Sequence, residues 1–161
     1  MSPLVVGIDS PRSCASPGDT SRECERAVAK QVCGIRWTPD ASAVETSNYY
    51  GWIVEGLRLY GALESARAEV IEVFPTASWT RWLGRRGSES RSAWTRRGLT
   101  TLGLASVPER TNQDQRDAIA AAITARQYSD GSTQSFGEIV IPAAGPLSST
   151  PRPPSIEGNG Q

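Results

Sequence analysis

The sequence predicts an α/β fold in which short strands alternate with helices. Three apolar runs rich in β-branched residues have the length and boundaries of buried strands, whereas the segments between them repeat their apolar residues at helical spacing. At 161 residues, the chain is long enough for one sizeable core and short for two. We therefore expect a single domain, whose predicted strands are Leu4 to Asp9, Val70 to Phe74 and Gly137 to Pro142.

The first predicted strand ends in an acid. Its apolar run breaks at Ser10-Pro11, which leaves Asp9 at the carboxyl end of the strand, on the face shared by Gly7. The loop predicted for residues 10–19 is rich in serine, proline and glycine and begins directly after it. Asp9 is therefore either a ligand at the edge of the sheet or the side-chain cap of a turn.

Two helices are predicted before the second strand. Thr20 and Glu23 have the spacing of a capping box, so we expect a helix that starts there and stops at Gly34. A longer helix is expected up to about residue 65, because aromatic and aliphatic residues recur at helical spacing from Tyr49 onward. The first of these helices would bury a stripe formed by Cys24, Val28 and Val32.

The second predicted strand carries an acid in its middle. Alternation places Glu72 on the same face as Val70 and Phe74, so a carboxylate interrupts an otherwise apolar face. Such a group is either paired with an arginine, for which Arg36 and Arg67 are candidates, or part of a functional site. Its position between apolar neighbours favours the functional interpretation.

Helices are also predicted after the second strand. Residues 79–97 are expected to form two short helices joined around residues 84–90, and residues 99–107 to complete a helix and add a short strand. Beyond Ala143, small and polar residues dominate. We therefore expect the domain to span residues 1–142 and a disordered tail to follow at 143–161.

The last predicted helix, residues 111–128, presents two acids one turn apart. Asp114 and Asp117 lie on one side of its first turns. Asp114 stands three residues after Thr111, so it could also cap the start of the helix. Asp117 lies one turn further into the helix. The core face of this helix is predicted to contain Ile119, Ala122 and Ile123.

Composition excludes several kinds of chemistry. The absence of histidine excludes Ser-His-Asp and Cys-His nucleophiles and histidine-ligated zinc. Seventeen basic residues balance seventeen acidic ones, so nucleic acid would have to be bound by a local patch. The first residues do not resemble a signal peptide and no segment reaches membrane-spanning length, so we expect a cytoplasmic protein without a membrane partner. No C-x-x-C pair is present, and free thiols are expected at Cys14, Cys24 and Cys33.

The acids predict a site for a divalent metal ion. Carboxylates gathered in a sheet interior need a counter-charge, and oxygen ligands without histidine or thiolate favour Mg²⁺ or Mn²⁺. Two such ions about 4 Å apart can bind the attacking and leaving oxygens of a phosphodiester. Because Asp114 has the capping alternative, Asp117 is the favoured ligand of the two. The expected metal ligands and catalytic residues are Asp9, Glu72, Asp117 and Asp114.

A basic and aromatic stretch follows the second strand. Within residues 79–97, six arginines stand against one acid and are interleaved with Trp79, Trp82 and Trp94. Arginine for phosphates and tryptophan for bases would form a nucleic-acid groove, whereas the alternative places the tryptophans in the core and the arginines in water. The residues expected to contact DNA or RNA are Arg12, Arg81, Arg85, Arg86, Arg96 and Arg97.

Three segments carry a family resemblance. VVGIDSPR, VIEVFPTAS and DQRDAIAAAITAR, in this order, resemble the domain-of-unknown-function family 429, whose members are predicted nucleases with an RNase H-like fold. The family is similar to the RuvC-type resolvases, whose site joins a first-strand Asp, a fourth-strand Glu and a D-x-x-D pair opening the last helix. The resemblance implies an RNase H-like mixed sheet flanked by helices, with metal ligands at Asp9, Glu72 and Asp117, assisted by Asp114. One departure is that residues 10–40 do not have the pattern of the hairpin that usually follows the first strand.

Two functions follow from these observations. The first is a metal-dependent nuclease that hydrolyses phosphodiester bonds of DNA or RNA by the two-metal carboxylate mechanism. The second is a non-catalytic RNase H-like module that binds nucleic acid or protein. Neither function determines the oligomeric state, and both are compatible with a dimer. Convergence of Asp9, Glu72 and Asp117 at metal-bridging distances would favour the enzyme, whereas an arginine inserted among them would indicate a structural ion pair.

Overall fold

Four strands form one open, mixed sheet in the order β1-β2-β4-β3. Strands β1, β2 and β4 run parallel, and β3 pairs with β4 in the antiparallel direction. The computed structural model describes residues 4–104, 107–108 and 110–144. The strands are β1 (Val5–Ile8), β2 (Glu69–Val73), β3 (Thr133–Phe136) and β4 (Ile139–Pro142).

Six α-helices accompany the sheet in the described part of the chain, and a short 3₁₀ turn at Asn48–Tyr50 leads into the third. The predicted α/β class is thus confirmed. Each of these helices is too short or too polar to cross a membrane. The helices are α1 (Glu23–Gln31), α2 (Ala41–Thr46), α3 (Gly51–Ser65), α4 (Pro75–Leu83), α5 (Arg91–Thr101) and α6 (Gln113–Ser129).

The two faces of the sheet pack against different helices. On one face, Ile71, Val73 and Val140 contact the small residues of α6. On the other face, Ile8 and Val70 cluster with Tyr60 of α3. At the β4 end of that second face, α1 and α4 cover the strand with a cluster formed by Cys24, Val28, Val32, Ala77, Phe136, Ile139 and Ile141.

Close packing of α6 on β1 depends on a glycine. A Cβ atom at Gly7 would lie 2.6 Å from the carbonyl oxygen of Ala121 and 3.0 Å from a methyl group of Val73. Glycine therefore permits an approach between helix and strand that any other residue would prevent. Asn112 caps the start of α6 by accepting a hydrogen bond from the Gln115 amide, which fixes the first turn next to the end of β1.

Several predicted boundaries were wrong for identifiable reasons. The capping box expected of Thr20 and Glu23 is wrong: α1 begins at Glu23, and its Glu25 side chain accepts a hydrogen bond from the backbone N–H of Arg22. Strand β3 was missed because only its last residue is apolar and buried. The last strand begins at Ile139, because Gly137 has a positive φ of 57° in the turn before it.

The core assignments were confirmed in part. The stripe of Cys24, Val28 and Val32 is buried as predicted, and so are Trp79 and Trp94, whereas Ala122 is exposed. The buried small residues on α6 are Ala120, Ala121, Thr124 and Ala125. All three cysteines are free thiols. The described residues after α5 form no strand before α6, and the predicted tail lies outside the described residues from position 145 onward.

Candidate functional site

Three aspartates lie where β1 ends near the first turns of α6, and the charges of Asp117 and Asp114 both act on Asp9. Asp9 directly follows β1, and Asp114 and Asp117 lie on α6. Part of Asp9 is accessible to solvent, but the protein atoms packed around its carboxyl group desolvate it and raise its pKa to about 7. The charge of Asp117 is the next cause, the charges of Asp114 and Glu72 also raise the pKa, and the charge of Arg91 lowers it. Asp9 therefore lies in a field of like charges.

The side chain of Asp117 is fixed by three donors. Its Oδ1 atom accepts hydrogen bonds from Nε2 of Gln113 at 2.9 Å and from the indole N–H of Trp79 at 3.3 Å. Its Oδ2 atom accepts a hydrogen bond from Arg91 at 2.8 Å, and the Arg91 side chain is 48% exposed against 9% for Asp117. The carboxylate is buried and oriented, and its ion-pair partner remains in contact with solvent.

Glu72 points away from these aspartates. It alternates with Val73, which faces α6, so its side chain lies on the face of Ile8 and Val70. Both carboxylate oxygens are engaged: Oε1 accepts from Arg22 at 2.5 Å, and Oε2 accepts from Arg22 and from the backbone N–H of Arg12, each at 2.8 Å. Glu72 thus forms a buried, bidentate ion pair with Arg22.

Arg22 is the centre of a buried charge network. It also donates to Glu25 at 3.0 Å and to Glu138 at 3.0 Å, and Glu25 in turn accepts from the backbone N–H of Thr38. Burial alone would lower the pKa of Arg22, but the hydrogen bonds and charge of Glu72 raise it well above its ordinary value. The sequence suggested Arg36 and Arg67 as partners for Glu72, and neither is. The signal available for Arg22 was its three-residue spacing to Glu25.

The arginines expected to bind nucleic acid are spread over different elements. Arg12 donates to the carbonyl of Val70 and to Glu64, and Arg97 pairs with Glu89 at 2.8 Å. The tryptophans between them provide no exposed stacking surface, since two are buried in the core and the third is half-buried. Of the remaining arginines, Arg81 donates to Gln134, Arg86 donates to the Glu89 carbonyl, and Arg85 and Arg96 are exposed.

A second buried cation that the sequence did not predict, after Arg22, is Arg116 on α6. Its side chain bridges from α6 to α5, where it donates to the hydroxyl of Thr95 at 2.8 Å and to that of Ser92 at 3.3 Å. Burial, together with the charges of Arg96 and Arg91, lowers its pKa despite the opposing charge of Asp117. The nearby D-x-x-D pattern drew attention to the acids, and no comparable pattern marks a buried arginine.

The donor chemistry around Asp9 fits a hard divalent cation, although the acids are not drawn into a complete ligand set. Within residues 4–104, 107–108 and 110–144, no three acidic or cysteine side chains are gathered at a spacing that could hold a metal ion. Asp9 nevertheless accepts no hydrogen bond from the described residues. Carboxylate oxygens from Asp9, Asp117 and Asp114 are the kind of ligand that Mg²⁺ and Mn²⁺ prefer. Glu72 fits less well because arginine already engages both of its oxygens.

Replacement of Asp9 by asparagine is expected to stabilise the metal-free protein above neutral pH. In the folded protein the pKa of Asp9 lies above its ordinary value of 3.8. Between about pH 4 and pH 7 the unfolded state therefore releases the Asp9 proton while the folded state keeps it. The stability of the wild type consequently falls as the pH rises through that window. Allowing for solvent screening of this accessible group, Asp9→Asn should gain about 1 kcal/mol at pH 8 and little at pH 4. Urea unfolding with a chelator measures this, and Asp130→Asn, at the exposed end of α6, is the control. A gain that is independent of pH would contradict the assignment.

Comparison with known proteins identifies a family for most of the chain. A family model described as "Protein of unknown function (DUF429)" matches residues 1–140. No curated protein and no solved structure matches the chain.

Proposed function

The chain belongs to the DUF429 family, and from this premise and its own site we propose that it is a divalent-metal-dependent phosphodiester hydrolase acting on DNA or RNA. The observation that carries the proposal is the position of Asp9. This acid directly follows the first strand, feels the charges of Asp117 and Asp114 of α6, and is left without a hydrogen-bond donor among the described residues. A cation would relieve the repulsion between these carboxylates.

Asp9, Asp117 and Asp114 are the proposed ligands of Mg²⁺ or Mn²⁺. When bound, such ions would activate a water molecule and stabilise the leaving oxygen of a phosphodiester. Asp9 is well suited to this role because it follows a rigid strand, and Asp117 because Trp79 and Gln113 orient its carboxylate. Asp114 is exposed on the first turn of α6, and its charge acts on Asp9.

Glu72 takes a positioning role in this proposal rather than that of a ligand. It holds the backbone N–H of Arg12, three residues after Asp9, and thereby fixes the chain where it leaves β1. Arg22 neutralises Glu72 on the side remote from α6. Glu72 would therefore act on the site through the backbone that follows Asp9.

An RNase H-like fold is also part of the proposal. Its support is a mixed sheet whose first strand lies parallel to the strand bearing Glu72 and packs against the helix bearing Asp117. Residues 10–40 contain a loop and α1 instead of the usual hairpin, and only an isolated bridge joins Ala15 and Asp40. The fold would thus be a variant without that hairpin.

A second function is favoured by two specific contacts. Arg22 occupies Glu72, and Arg91 reaches Asp117, which is the arrangement expected of structural ion pairs. On this alternative, the protein is a non-catalytic module that binds nucleic acid or protein. The Arg91 contact is half-exposed and therefore exchangeable, whereas the Arg22 contact is buried, so the arginines weigh against Glu72 as a ligand more than against Asp117.

A nuclease assay with matched aspartate variants tests the proposal. Single-stranded DNA, single-stranded RNA, an RNA–DNA hybrid and branched DNA would be incubated with Mg²⁺ or Mn²⁺, and Mn²⁺ uptake followed by paramagnetic resonance. We expect cleavage of at least one substrate by the wild type, background activity for Asp9→Asn and Asp117→Asn, and wild-type activity for Asp130→Asn. Equal behaviour of wild type and Asp9→Asn on every substrate would reject the enzyme. Undiminished nucleic-acid binding without cleavage would support the module instead.

A further inference from the structure

The charge of the buried Arg116 is not neutralised by a directly bound acid among the described residues. Arg116 is only 2% exposed to solvent. Five hydrogen bonds occupy its guanidinium, and every acceptor is neutral. These acceptors are the hydroxyls of Ser92, Thr95 and Thr111, the carbonyl of Thr111 and the side-chain oxygen of Gln113.

Two exposed arginines of α5 flank this buried cation. Arg91 and Arg96 lie on either side of the helix surface formed by Ser92 and Thr95, which is the surface that Arg116 contacts. Both are near enough for their charges to repel that of Arg116. The three residues Arg91, Arg96 and Arg116 are called the cationic cluster below. It borders the aspartates, because Arg91 also reaches Asp117.

We propose that Arg91 and Arg96 bind a backbone phosphate of a nucleic-acid strand above the fixed charge of Arg116, and that Arg91 leaves Asp117 when it does so. The identity of the strand as substrate rests on the proposed function. The phosphate site itself depends only on the cationic cluster. A planar guanidinium can bind two oxygens of a phosphate, and a buried cation with neutral partners adds attraction without moving.

Arg91 can exchange Asp117 for a phosphate because the Arg91 side chain is exposed to solvent. Its ion pair with Asp117 is open to solvent on the arginine side, and half-exposed pairs of this kind are held weakly. A phosphate that also contacts Arg96 has a negative charge at least equal to that of the Asp117 carboxylate. It would also lie beside two further cations, Arg96 and Arg116, and is therefore a favourable partner for Arg91. Departure of Arg91 would remove the positive charge nearest to Asp117, so phosphate binding and cation binding by the aspartates would favour each other.

Binding of a short, fluorescein-labelled single-stranded DNA in the presence of a chelator tests the phosphate site without catalysis. Arg91→Gln and Arg96→Gln should each weaken binding about tenfold and lower the slope of log affinity against log salt by about one. The control is Arg58→Gln, which removes an exposed, ion-paired arginine from α3 and should bind as the wild type. All three positions are exposed, so the variants are expected to fold.

The inference is overturned if Arg91→Gln and Arg96→Gln bind the DNA as tightly as the wild type, or if Arg58→Gln loses as much affinity as they do. A titration of the same proteins with Mn²⁺ and no DNA tests the exchange. Arg91→Gln should bind Mn²⁺ several-fold more tightly than the wild type, whereas Arg96→Gln should not, and equal Mn²⁺ affinity of Arg91→Gln and wild type would overturn the exchange. Failure of all proteins to take up Mn²⁺, with the DNA results as expected, would overturn the proposed function and leave the phosphate site standing.

Discussion

Replacement of Arg22 by methionine is expected to lower the free energy of unfolding by about 3–5 kcal/mol, because it leaves buried carboxylates without their counter-charge. Glu72 and Glu25 are 4% and 1% exposed, so water cannot replace the lost guanidinium. The gain from a buried ion pair over an apolar pair is small, but removal of a single partner exposes the full desolvation penalty of the other. Arg22 serves two such partners at once.

Chemical denaturation of Arg22→Met beside Arg26→Met would measure this effect. Arg26 lies on α1, one turn after Arg22, is exposed, and its side chain donates hydrogen bonds only to Ser21 among the described residues, so its replacement should change stability by no more than about 0.5 kcal/mol. The double variant Arg22→Met with Glu72→Gln should be less destabilised than the sum of the two single changes, since it no longer buries an unpaired Glu72 charge. If Arg22→Met and Arg26→Met were equally stable, the buried network would not contribute as described.

Replacement of Gly7 by alanine is expected to destabilise the protein by about 2–3 kcal/mol and to disturb the aspartate site together with the core. The added Cβ would lie 2.6 Å from a backbone oxygen of α6, which cannot rotate aside as a side chain could. Relief of the clash requires α6 to move away from β1. Because Asp117 is on α6 and Asp9 follows β1, the same movement would separate the two acids and weaken Mn²⁺ binding.

Gly61→Ala provides the matched control for this substitution. Gly61 lies on α3, is exposed, and has open space around the position that an added methyl group would take. Alanine there should be neutral or stabilising by up to about 1 kcal/mol, because it favours the helix. Comparison of the two variants by thermal unfolding and by Mn²⁺ titration separates the steric effect from a general effect of alanine. Equal stability of Gly7→Ala and Gly61→Ala would contradict the close approach of α6.

Local patterns in the sequence predicted most of the fold. Strands β1, β2 and β4 were expected because short apolar runs bounded by turn residues have few alternatives, and the two helices around residues 84–90 were expected from the turn between them. Strand β3 was not, because Thr133 to Phe136 is polar and acquires its extended form only by pairing with β4. Its structure depends on tertiary contact that local pattern does not encode.

The site was predictable to a smaller extent. The position of Asp9 at a strand end and of Asp117 on α6 followed from local pattern, and in the structure the charge of Asp117 acts on Asp9. The partner of Glu72 could not be found in this way, because Arg22 is 50 residues distant in sequence. Arg116 was missed for a related reason, since nothing near it in sequence shows that its side chain is covered by α5. Pairings between distant segments are set by the packing of elements, which has no signature in a single sequence.

The buried charge network also determines how the segment between β1 and α2 comes apart. The backbone N–H groups of Arg12, Arg22 and Thr38 all donate to carboxylates of Glu72 or Glu25, and Arg22 links those two acids. Detachment of the segment at Arg22 would leave Glu72 and Glu25 buried and unpaired, and detachment at Arg12 or Thr38 would leave one of these buried carboxylates short of a hydrogen bond, so each partial opening carries a cost. We therefore expect this segment, which contains no strand and one helix, α1, to unfold together with the sheet as part of one cooperative unit.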